Sequence, residues 1–138
     1  MKSLRVMALL LLGAACFGVP SEAGNKPKKP QLRLRAIPAM AMAPVEVTLL
    51  IDLEGGDDLE DFYCPEIEVE WGDGAKSVQE SDCPPFEPGT AITRHYSLSH
   101  AFRRGGFFEA RVRLRRAGKT VTSAQANITV QSGLGEGF

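Results

Sequence analysis

The chain has 138 residues, 43% hydrophobic and 24% charged, a size for one compact domain with tails and no second one. Its 16 basic and 17 acidic side chains give a net charge of −1, without the basic excess expected of a nucleic-acid binder.

Lys2 and Arg5, then the apolar runs Val6 to Leu12 and Ala14 to Phe17, then the small residues around Ser21-Glu22-Ala23, form the pattern of a secretory signal over residues 1–23. The apolar part is too short to span a membrane, which takes about 20 residues. A second export route is written in Gly13-Ala14-Ala15-Cys16. It resembles a bacterial lipoprotein box, in which Cys16 would be lipidated and become the N-terminus, although Gly13 stands where an aliphatic residue is usual. Either route predicts an exported domain: secreted, periplasmic, or lipid-anchored to the cell envelope. Removing residues 1–23 leaves 14 basic and 16 acidic side chains, a net charge of −2.

Residues 24–31, rich in Lys and Pro, read as an extended mobile linker. Leu32 and Leu34 alternate with Arg33 and Arg35 as an edge strand ended by Pro38. Ala39 to Ala43 reads as a connection whose methionines fill space under the edge of the domain. Val45, Val47, Leu49, Ile51 and Leu53 mark one buried face of a strong strand, followed by an acidic glycine-hinged loop through Asp57, Asp58, Glu60 and Asp61.

Glu66 to Trp71 alternates strictly, with Ile67, Val69 and Trp71 facing inward and the three glutamates facing water. Gly72-Asp73-Gly74 then turns the chain into a hairpin, since both glycines tolerate positive φ and Asp73 can bond its own turn amides. Setting Trp71 opposite Lys76 makes paired residue numbers sum to 147. That register pairs Val69 with Val78 and brings Cys64 opposite Cys83, which predicts a disulfide in an exported chain. A zinc site is the alternative, but two cysteines and two distant histidines lack structural-site spacing.

Thr90 to Phe102 alternates with Ile92, Tyr96, Leu98 and Phe102 inward. Arg103 to Gly106 turns a corner into a strand with Phe108, Ala110, Val112 and Leu114 inward and Phe107, Glu109, Arg111, Arg113 and Arg115 outward. Thr120 to Val130 closes the domain, and residues 132–138 form a glycine-rich tail. About seven short strands without helical periodicity predict an all-β fold, an antiparallel β-sandwich over residues 32–131.

Three marks sharpen this reading: Glu70-Trp71-Gly72-Asp73-Gly74, then His100-Ala101-Phe102, then Gly106-Phe107-Phe108. In this order they resemble the polycystic kidney disease (PKD) repeat family. The resemblance implies an immunoglobulin-like sandwich that serves as an extracellular spacer or interaction module without catalysis of its own. The acidic loop and the loop Cys83 to Gly89 are longer than in the usual repeat.

Several candidate sites follow. In an immunoglobulin-like arrangement Glu66, Glu68 and Glu70 face Arg111, Arg113 and Arg115 across neighbouring strands, which predicts a self-neutralising ladder instead of a polyanion site. Asp57, Asp58, Glu60 and Asp61 are candidate calcium ligands, weighed against a solvated acidic loop, since they lack the spacing of a dedicated calcium loop. No other cofactor is implied. Asp73 and His100 lie near each other, which invites acid–base chemistry, but no nucleophile has a motif context. The expectation is that Asp73 locks its turn and His100 bonds nearby backbone.

At the opposite end Phe62, Tyr63, Pro84, Pro85 and Phe86, stapled by the bridge, form a candidate binding platform, weighed against a small satellite core. The sequence therefore points to an exported non-catalytic module with a protein partner in the extracellular space or envelope. A carbohydrate-binding module using the loop aromatics is the alternative, and a small secreted hydrolase the third reading.

Overall fold

The computed structural model describes residues 26–133 together with the isolated positions Gly13 and Gly18. The rest of the predicted export signal, including Cys16, and tail residues 134–138 lie outside the described residues.

Eight strands form two stacked sheets: β1 (Gln31–Ile37), β2 (Met40–Met42), β3 (Val45–Glu54), β4 (Glu66–Glu70), β5 (Lys76–Gln79), β6 (His95–Phe102), β7 (Gly106–Arg116) and β8 (Lys119–Gln131). The smaller sheet runs β1-β3-β6 and the larger β2-β8-β7-β4-β5. One more strand is present than the sequence predicts, because Met40–Met42 is no connection. It pairs in parallel with β8, so the chain leaves one sheet after β1 and joins the other at β2. Pro38 and Pro44, which have no amide hydrogen for a ladder, flank the crossing. Met40 and Met42 are 63% and 50% exposed, so they do not fill the interior.

The alternation read from the sequence sorts the side chains as expected. Val47, Leu49, Ile51 and Leu53 from β3, Ile67 and Val69 from β4, and Ala110, Val112 and Leu114 from β7 meet in one buried core. Trp71, at the end of β4, is wholly buried, and its indole N–H donates to Ser77 Oγ at 2.9 Å. This bond keeps the one polar atom of the ring satisfied in a dry setting.

The β4–β5 register differs by one from the expected pairing. Glu70 lies opposite Lys76 and Glu68 opposite Val78, so partner numbers sum to 146. The turn decides this. Trp71 N–H donates to Ala75 O, and Ala75 N–H donates to Asp73 Oδ1, closing a loop of three residues. A slip of one residue exchanges the faces of a strand, so Val78 lies on the exposed side and Ser77 faces the tryptophan.

The disulfide Cys64–Cys83 nevertheless forms, with Cα atoms 6.2 Å apart. The ladder ends at the Ile67–Gln79 pair, so the cysteines lie beyond it and are not bound to its register. Thr90 to Arg94, expected within a strand, precedes β6. It is held by Ile92 in the core and by Leu53 N–H donating to Arg94 O. The linker ends earlier than predicted, because Lys28 is tied to Asp57 by two hydrogen bonds of 2.8 Å and Pro30 is buried.

Candidate functional site

Strand register sets the charges on the outer face of the larger sheet opposite one another as the sequence predicts, Glu66 by Arg115, Glu68 by Arg113 and Glu70 by Arg111, although Glu70 makes its ion pair diagonally with Arg113. Glu68, expected in water, is only 5% exposed, because Lys76 at 3.2 Å, Arg113 at 3.1 Å and Arg115 at 3.3 Å close over it. Burial pushes its carboxyl up, but these three cations outweigh burial and hold it below the ordinary glutamate value. Arg113 is held above its usual value, first by Glu70 and then by Glu68. The ladder is thus closed on itself and offers no open cationic strip.

At the Trp71 end, His100 points inward from β6 opposite Val47 and stacks on the indole with centroids 5.0 Å apart. Its Nε2 bonds Asp73 Oδ2 at 2.6 Å, so its partner is the turn carboxylate and not nearby backbone. Burial raises the Asp73 carboxyl, while the bond to His100 and the Ala75 amide lower it further, leaving it below the ordinary aspartate value. Phe102 meets Trp71 edge-on and packs against Phe108 at 4.7 Å. The family-like residues therefore form one aromatic and ionic clamp between the layers. Its geometry is that of a structural pair, with the imidazole packed against rings and bonded to a carboxylate already used by its own turn.

The predicted platform is brought together only in part. Phe62 follows a single 3-10 turn, Glu60–Phe62, into the core and is 1% exposed, so it offers no surface to a ligand. Tyr63 donates its hydroxyl to Pro84 O at 2.6 Å, packs on Phe86 at 5.3 Å and carries the Arg116 guanidinium 5.5 Å above its ring. Arg116 also donates to the Tyr63 carbonyl. Pro84 and Pro85 are exposed on the loop, but the rings of Tyr63 and Phe86 are engaged with each other and, for Tyr63, with Arg116.

Three of the four acids in the loop are likewise committed internally, while Asp61 is exposed. Asp57 accepts from Lys28, Asp58 pairs with Arg94 at 3.0 Å, and Glu60 lies 3.8 Å from Arg116. Asp58 and Asp57 thus brace neighbouring segments. Among the described residues no group of three or more acidic, His or Cys side chains is disposed to hold a metal.

A different surface emerges at the β6–β7 end, which sequence reading passed over. Phe107 is 90% exposed although it is the second residue of a regular strand. Phe107 and Met40 both register with Thr129, one from β7 and one from β2, so the two flank it on the same outer face. Met42, opposite Gln131, continues that apolar row. The signal was present, since Phe107 falls at an outward position of its strand, but nothing in the sequence placed the methionines across Thr129 from it.

The two-layer topology decides what the chain is similar to. The PKD domain of an M14-like peptidase from Thermoplasmatales archaeon SCGC AB-540-F20 superposes with a TM-score of 0.50 at 14% identity, over 76% of this chain and 95% of that one. The chain has a PKD-like, immunoglobulin-type fold. A superoxide reductase (neelaredoxin) from Ignicoccus hospitalis follows with a TM-score of 0.46 at 18% identity, over 80% of this chain and 87% of that one. The CARDB domain of a Pyrococcus furiosus protein, in complex with di-metal ions, gives 0.45 at 9%, over 77% and 97%. No family model and no curated protein matches the sequence. In the PKD-like fold described here the β4–β5 turn and β6 carry the clamp, and the outer face of β7, β8 and β2 carries the exposed apolar row. No helix among the described residues is long and apolar enough to cross a membrane.

Proposed function

We propose that this chain is an exported, non-catalytic PKD-like module that binds another protein in the extracellular space or cell envelope. The observation that carries the reading is Phe107, 90% exposed on an ordered sheet and aligned with the exposed Met40 and Met42. Large apolar side chains gathered on one ordered face mark contact surfaces, because covering them releases water while the backbone beneath is already ordered. The paired Cys64–Cys83 supports an oxidising compartment, in keeping with the signal pattern of residues 1–23. Cleavage after Ala23 would leave the domain free, whereas lipidation of Cys16 would hold it on the envelope. Mass spectrometry of the exported N-terminus separates the two.

The engaged rings of Tyr63 and Phe86 weigh against the carbohydrate alternative, since a sugar stacks on an open aromatic face. The test is retention of partner protein from envelope and medium fractions on immobilised mature domain, compared with Phe107→Asp. The reading expects a partner in stoichiometric amount on the wild type and its loss on the variant. Equal retention by both, or retention of the domain by polysaccharide gels that Tyr63→Ala abolishes, overturns it.

A further inference from the structure

A depression of about 440 Å³ opens at the β6–β7 corner, lined by Asp73, Ala101, Phe102, Arg103, Arg104 and Phe108. Arg103 and Arg104 are exposed and have no carboxylate partner among the described residues. Arg35 on β1 is likewise unpaired, whereas Arg33, Arg94, Arg111, Arg113, Arg115 and Arg116 each lie within ion-pair distance of an acid, so among the described residues Arg103 and Arg104 are the two adjacent arginines left open. Asp73, the acid in the lining, is spent on His100 and on the Ala75 amide. The mouth of the depression is therefore cationic, and its wall includes the partly buried Phe108.

The same corner leads directly into Phe107. Phe107 follows Arg104 by three positions, at most about 10 Å of chain, and it points to the outer face while Phe108 lines the depression, so a ligand segment that reaches both wraps over the β6–β7 corner. We infer that this end of the domain takes an acidic segment of the partner polypeptide. An aspartate or glutamate carboxylate meets Arg103 and Arg104, and an apolar side chain a few residues away covers Phe107 and Met40. This rests on the protein-binding reading and adds the partner's chemistry to it.

The guanidinium fork favours a carboxylate through paired N–H bonds. A peptide fits better than an acidic glycan. Phe102 is 1% exposed and lies against Phe108, so the depression offers no open ring for a sugar.

The experiment is selection of a random dodecapeptide display library on the immobilised mature domain, followed by fluorescence anisotropy of the selected peptides. The expected binders carry Asp or Glu within four residues of Leu, Phe or Met, and bind more weakly at about 0.5 M than at about 0.05 M salt. Arg103→Glu/Arg104→Glu weakens them about tenfold or more, and Arg103→Gln/Arg104→Gln weakens them less. Near-UV circular dichroism checks that each variant is folded. Binders without acidic enrichment, or binding unchanged in the charge-reversed domain but lost in Phe107→Asp, overturn the acidic-segment assignment and leave the protein-binding reading standing. Binding of polygalacturonate, but of no peptide, that depends on Arg103 and Arg104 overturns both. Failure to select any peptide, with no ligand found, also counts against both.

Discussion

Asp73 and His100 join the two layers of the sandwich: the carboxylate sits in the β4–β5 turn of one sheet, the imidazole on β6 of the other, and 2.6 Å separates Oδ2 from Nε2. Because His100 also lies flat on the buried Trp71, the bond fixes the ring that closes this end of the core. His100→Ala should cost about 2 kcal/mol, read from urea unfolding, through the lost charge-assisted bond and ring contact.

The pair also sets an acid limit. A carboxyl depressed in the folded state contributes stability above its unfolded value of about 4, and that contribution is lost as pH falls through the lower folded value. Wild-type Tm should fall below about pH 4, and Asp73→Asn should be less stable at neutral pH with a shallower acid slope. Glu68 is depressed too and acts in the same window, so Asp73→Asn/Glu68→Gln should flatten the profile further. Parallel slopes in all three proteins would contradict the clamp.

Glu68 is the hub of the charge ladder, touched by Lys76, Arg113 and Arg115, while Glu66 pairs with Arg115 and Glu70 with Arg113. Glu68→Gln should therefore lower Tm more than Glu66→Gln or Glu70→Gln, as followed by far-UV circular dichroism. An equal loss at all three positions would show that exposure, not the shared carboxylate, governs the face.

Gly72 and Gly74 both bracket Asp73 at positive φ, +88° and +92°. They are not equivalent. A Cβ on Gly72 would sit 2.9 Å from Glu109 O on neighbouring β7, whereas one on Gly74 meets nothing within 4 Å. Gly74→Ala should cost about 1–2 kcal/mol for the left-handed backbone alone, and Gly72→Ala clearly more. Denaturant midpoints of the two variants decide the order.

Reduction of Cys64–Cys83, 19 residues apart, should cost about 3 kcal/mol by loss of the chain-entropy constraint. The sheets should survive, because the β4–β5 ladder ends before either cysteine. Urea unfolding with and without dithiothreitol, and of Cys64→Ser/Cys83→Ser, measures the effect. Unfolding on reduction alone would show that the bridge, not the core, holds the sandwich.

The sandwich was legible because strong strands alternate: Val45 to Leu53, Ile67 to Trp71 and Phe108 to Leu114 each state their buried face. The ladder of Glu66, Glu68 and Glu70 against three arginines was legible for the same reason, once the strands were set side by side. The β4–β5 register was not. Lys76 to Gln79 holds one apolar residue, Val78, so its pattern cannot resist a slip, and the turn bonds of Trp71, Asp73 and Ala75 decided the matter. Phe62 and Tyr63 look alike in sequence, and a single 3-10 turn sends one into the core and leaves the other beside the bridge. The Phe107 surface depends on β2 crossing between sheets, a long-range pairing that three residues of Met-Ala-Met do not announce.

The most direct test of the account is photo-cross-linking of the protein in its native cells and medium with a photoreactive phenylalanine analogue at position 107, and at position 78 as reference. Val78 is also exposed, but it lies on β5 at the other edge of the larger sheet. The account predicts a discrete adduct with a partner protein from position 107 and none from position 78. Equal labelling from both positions, or no adduct from position 107, would contradict it.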